Sequence, residues 1–196
     1  IATVVLWIGV VVWHRFGGPN PFAVPHWAML ALGIVFGLMV YTGFLALDRL
    51  DASLYIVLVY LYPVLVVIGS ALLGTRPAPL TWAALAMVML GIVLTVPELF
   101  TGVGEVSVFG VLLALSQAVV FAVYMIVSSR VMPRSMDGVV TAAWIMLGAS
   151  LVVTPIALFD GLVRPHGGDL VLKVAVFALI PTVVASICFF QAMRHI

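Results

Sequence analysis

Six stretches of this chain run for twenty residues or more without an Asp, Glu, Lys or Arg: 16–47, 52–75, 77–97, 106–129, 138–159 and 174–193. A helix rises about 1.5 Å per residue, so twenty residues match the roughly 30 Å hydrocarbon thickness of a bilayer. The first stretch opens with "GGPNPFAVP" at 17–25, which is turn chemistry, and this leaves 26–47 as its helical part. Composition closes the argument. The chain is 65% hydrophobic and 8% charged, where a soluble domain is about 45–50% apolar and roughly a quarter charged. So few polar side chains cannot cover a soluble surface of this size. The chain reads as an integral membrane protein.

The expected spans are 1–13, 26–48, 52–74, 78–97, 106–130, 138–159 and 173–194, all helical. Barrel strands would alternate apolar and polar side chains over about ten residues, and no stretch does. Only thirteen residues precede His14 and Arg15, too few for a full span. The reading is a helix cut short, in a fragment of a longer protein. A net charge of +1 without a basic cluster excludes a nucleic-acid partner. The single cysteine, Cys188, excludes an internal disulfide and a CxxC metal site. His14, His26, His166 and His195 stand near run ends with no second ligand at helical spacing. Neither a metal nor another cofactor is expected.

Short connections make neighbouring helices antiparallel, so loops alternate between the two membrane faces. Arg15, Arg76, Arg130, Arg134 and Arg194 fall on one face, and Arg49, Arg164 and Lys173 on the other. The positive-inside bias assigns the first group to the cytoplasm. A shift of 146 residues lays 1–13 on 147–159 and 26–50 on 172–196, with Pro19 on Pro165 and Phe44 on Phe190. Such a repeat would contain five helices, and an odd number inverts the second copy in the membrane, as in many secondary transporters.

Residues 46–94 contain "ALDRLDAS", "LYPVLVVIGSALLGTR" and "LGIVLTV"; residues 110–130 read "GVLLALSQAVVFAVYMIVSSR", and 180–196 read "IPTVVASICFFQAMRHI". Together these resemble the EamA-type drug/metabolite transporter family. The resemblance implies an all-α polytopic membrane helix bundle of two inverted five-helix repeats, incomplete here and covering about helices 2 to 8 of ten. Residues 1–100 would be the first repeat without its first helix, and 101–196 the second without its last two. Thr75 stands where the family usually carries a glutamate.

Candidate site residues are those whose polar groups lie deep in apolar runs. Gln117, Phe121, Tyr124 and Ser128 are spaced i, i+4, i+7 and i+11, on one stripe of a helix. Facing lipid, that stripe would waste its hydrogen-bonding groups. Thr182, Ser186 and Phe189 form a similar stripe. Tyr41 and Tyr60 are deep enough to join them, and a bend at Pro63 would open room between helices. Tyr55, near a helix end, reads as an interfacial anchor. Gly33 and Gly37 form a GxxxG pair suited to close helix packing. These residues are expected to line one central cavity. Packing between helices through the same groups is the competing explanation.

No Asp, Glu, Lys, Arg or His lies at mid-depth in any run, and proton transfer or metal chemistry inside a membrane would need such a group. The expectation is a non-enzyme: a secondary transporter, an exporter in particular, moving small polar or amphipathic metabolites by alternating access across the cell (inner) membrane. Its partners would be a small-molecule substrate and the lipid bilayer, and a homodimer stays open. The alternatives are a non-transporting integral membrane subunit and an intramembrane enzyme.

Overall fold

Two glycines in the left-handed region end helices in the same way. α1 (Ala2–Arg15) closes at Gly17 (φ +88°), where Gly17 N donates to His14 O and Gly18 N to Trp13 O. α4 (Tyr62–Leu72) closes at Gly74 (φ +89°), where Gly74 N donates to Ala71 O and Thr75 N to Ser70 O. Both are Schellman motifs, in which a residue without Cβ turns the chain and satisfies two terminal carbonyls. The other helices are α2 (His26–Leu47), α3 (Ala52–Val59), α5 (Pro79–Thr95), α6 (Val108–Val131) and α7 (Gly138–Phe159). Asp137 caps α7, its Oδ1 accepting from Val139 N at 2.8 Å and Val140 N at 3.3 Å.

This computed structural model describes residues 2–95, 107–131, 137–159, 172–173, 176 and 183–188, and among the described residues there is no strand. The protein is all-α and integral to the membrane. His26–Leu47, Ala52–Leu72, Val108–Val131 and Gly138–Phe159 are each long and apolar enough to cross a bilayer. α1 and α5 are shorter apolar helices. Most of the expected seventh span lies outside the described residues.

The 52–74 run is one span in length but two helices in detail. α3 ends at Val59 and α4 begins at Tyr62, with Pro63 at its first turn. Proline has no N–H, so Val59 O loses its donor four residues on. The helix breaks ahead of the proline, and Leu61 N turns to Leu58 O at 3.3 Å, a tighter three-residue bond.

The chain divides into two compact units, one of Ile1–Leu38 with Ser129–Ile196 and one of Met39–Ser128. In the first, α1 runs antiparallel to α7. Thr3 Oγ1 donates to Met146 O at 3.1 Å, and Trp7 Nε1 donates to Ala143 O at 3.1 Å. Trp144 completes the contact, its ring edge-on to Trp7 at 5.0 Å and its Nε1 donating to Pro21 O at 2.8 Å. The start of α2 lies parallel to α7 at backbone distance. A Cβ on Gly33 would collide with Ile145 O and fall 2.9 Å from Gly148 Cα, and one on Gly37 would fall 2.8 Å from Ala149 O. The GxxxG pair is therefore a packing device.

In the second unit the end of α2 runs antiparallel to α6. Gly43 meets Gln117, Ala46 and Ala114 share one buried cluster, and Leu50 meets Gly110. Leu54, Tyr55 and Leu58 of α3 pack on that cluster. α4 follows α6 in parallel, with Tyr62 against Phe121 and Gly69 against Ile126.

Candidate functional site

Small residues on α6 create the site's setting. Gly110, Ala114, Ala118 and Ala122 are buried and recur every four residues, which lets neighbouring helices close on this face. The polar and aromatic stripe lies along the same side. Gln117, Tyr124 and Ser128 are buried and Phe121 is half-buried.

Three of the stripe's four members meet partners from other helices or from each other. Tyr55 of α3 donates its hydroxyl to Gln117 Oε1 at 3.1 Å. Tyr62 of α4 lies 4.4 Å from Phe121, centroid to centroid, and Phe121 stacks on Tyr124 at 6.2 Å with 29° between planes. Tyr60 sits 6.2 Å from Tyr62. The result is an aromatic row, Tyr60–Tyr62–Phe121–Tyr124, one helical turn from a hydrogen-bonded amide.

The remaining candidates are placed differently. Ser128 Oγ donates to Met125 O at 3.1 Å, so its hydroxyl serves its own helix. Tyr41 is half-buried, but it precedes Gly43 by two residues, roughly 200° around α2 from the Gly43–Gln117 contact. Tyr60 is 44% exposed and Pro63 is half-buried. Ser186 belongs to the other compact unit. Thr182 and Phe189 lie outside the described residues.

Sequence reasoning missed two residues. Tyr55 was expected at the membrane interface, yet it is the partner of Gln117, 62 residues away. Gly43 carries no side chain to suggest a role, but a Cβ there would fall 2.7 Å from both Gln117 Nε2 and the Tyr55 hydroxyl. Neither has a local signature, because both follow from the crossing of α2, α3 and α6.

Among the described residues no group of three His, Cys, Asp or Glu side chains could hold a metal ion. The chemistry on offer is recognition: one amide, phenols and aromatic faces in an apolar surround.

Comparison with known proteins gives this arrangement a context. Residues 108–196 match the EamA-like transporter family. α6 and α7, with the candidate stripe, lie inside the EamA match. An uncharacterized transporter of Synechocystis sp. is 24% identical over 149 residues, a longer stretch than the family match. That alignment takes in 74% of this chain and 43% of the relative, so the chain spans less than half of that protein's length. No solved structure matches the chain.

Proposed function

We propose that the protein is a secondary membrane transporter, an exporter of small polar or amphipathic metabolites working by alternating access in the cell (inner) membrane. The observation that carries this reading is the buried stripe of α6, where Gln117, Phe121 and Tyr124 bring an amide and two aromatic rings to one face of an apolar helix. Such groups bind and orient a solute without activating it, as transport requires. The match of 108–196 to a family named for transporters, and the similarity to a relative described as a transporter, support the same reading.

On this proposal Gln117, Phe121, Tyr124, Tyr60, Tyr41 and Ser128 contribute to a solute path, and the break at Pro63 gives one of its helices room to move. Two inverted five-helix repeats, to which 1–100 and 101–196 would belong, would supply the two access states.

The test is counterflow in proteoliposomes of the full-length protein, with labelled amino acids and small amphipathic metabolites. Gln117→Ala and Tyr124→Ala should each lower uptake while leaving the yield of folded protein unchanged. Unchanged uptake in both would make the stripe a packing device.

A further inference from the structure

Gln117 is only 8% exposed, and its carboxamide is used at one end alone. Oε1 accepts the Tyr55 hydroxyl at 3.1 Å, and among the described residues nothing accepts from Nε2. Nor is that nitrogen sealed in: among the described residues no fully buried side-chain nitrogen or oxygen lacks a partner. Nε2 thus keeps a small opening onto its surroundings. A primary amide has two N–H donors there. Leaving them unused in an apolar setting costs free energy.

The neighbours fix where those donors point. Tyr55 donates to Oε1, which leaves Nε2 as the free end of the amide. Gly43 lies against Nε2, where any Cβ would come within 2.7 Å and push the amide aside. Phe121 follows one turn along the same helix, and its ring, stacked on Tyr124 at 6.2 Å, supplies an apolar surface on that stripe.

We infer that Gln117 Nε2 donates to a carbonyl or carboxylate oxygen of the transported solute, and that Tyr55 and Gly43 are the positioning residues that aim it. The inference rests on the transporter reading and narrows it: the solute carries a hydrogen-bond acceptor next to an apolar group. A site built around an unpaired donor discriminates strongly against analogues lacking the acceptor, because the buried N–H groups are then left without a partner.

The experiment uses full-length protein in liposomes and two matched pairs of probes. L-Phenylalanine is set against phenethylamine, and L-leucine against isoamylamine; within each pair only the carboxylate differs. Uptake and thermal stabilisation by ligand are measured for each. The acceptor-bearing member should be favoured by about tenfold or more. Gln117→Leu should remove the preference, and Tyr55→Phe and Gly43→Ala should weaken it while the protein still folds, as judged by its melting profile. Equal handling of both members of each pair, with transport intact, overturns the inference and leaves the transporter reading standing. A preference that persists in Gln117→Leu also overturns it, because the donor that reads the acceptor then lies elsewhere. Failure of all four probes to be taken up or to stabilise the protein counts against the transporter reading and the inference together.

Discussion

The Tyr55 hydroxyl reaches from α3 to Gln117 Oε1 on α6 at 3.1 Å, joining residues 62 apart in sequence. Interhelical hydrogen bonds in membranes average about 0.6 kcal/mol, because an unfolded helix in lipid finds other partners. Tyr55→Phe keeps the ring and removes the donor. It should lower stability by about 0.5–1 kcal/mol in reversible unfolding in mixed micelles. Tyr60→Phe, at a position 44% exposed, should change it by less than about 0.5 kcal/mol. Equal effects from the two would mean that the Tyr55–Gln117 bond contributes nothing specific.

Gly33 and Gly148 bring α2 and α7 together at backbone distance. A side chain on Gly33 meets the Ile145 carbonyl and the Gly148 Cα, neither of which can swing away as a flexible side chain would. Gly33→Leu should therefore destabilise the protein by about 1–3 kcal/mol or more. Gly9 is the control, since a Cβ there meets nothing within 4 Å. Gly9→Ala should be neutral, or stabilising by up to about 1 kcal/mol, as helix propensity alone dictates. The two melting curves side by side decide the matter.

Arg15, Arg76, Arg130 and Arg134 should face the cytoplasm. With Cys188 replaced by Ser, single cysteines at positions 76 and 134 should resist a membrane-impermeant maleimide applied to intact cells. Cysteines at 102 and 166 should label. The reverse pattern would invert the topology.

The spans were legible because a bilayer imposes one requirement that every helix must meet in sequence: a long run free of charge. α2, α6 and α7 fall within two residues of their expected ends for that reason. Pro63 also announced itself, since the missing N–H is a property of the residue alone. What the sequence left hidden is which faces meet. Lipid and protein interior are equally apolar, so apart from the polar stripe of α6 these helices carry little pattern to mark their buried sides. Tyr55 looked like an interfacial ring from its place in the run, and only the crossing of α3 over α6 makes it a partner of Gln117. Gly43 is one of seventeen glycines, with nothing in its neighbours to set it apart.

The break between α3 and α4 yields the last prediction. Val59 O has lost its donor to Pro63, and the chain crosses residues 60–61 on a bond from Tyr60 N to Ile56 O and a three-residue bond from Leu61 N to Leu58 O. Tyr62 follows at once, and its ring lies 4.4 Å from Phe121. The direction of α4, and with it the position of Tyr62 over the α6 stripe, therefore depends on the break. Pro63→Ala restores the N–H and lets Ala52–Leu72 run as one helix. Amide exchange at residues 60–65 should slow, because a regular helical bond replaces the defect. Thermal stability should hold or rise, since proline is about 3 kcal/mol worse than alanine inside a continuous helix. Uptake should nevertheless fall severalfold, as the straightened helix carries Tyr62 away from Phe121. Slower exchange with unchanged uptake would show that the bend is tolerated by the membrane helix but not used in transport.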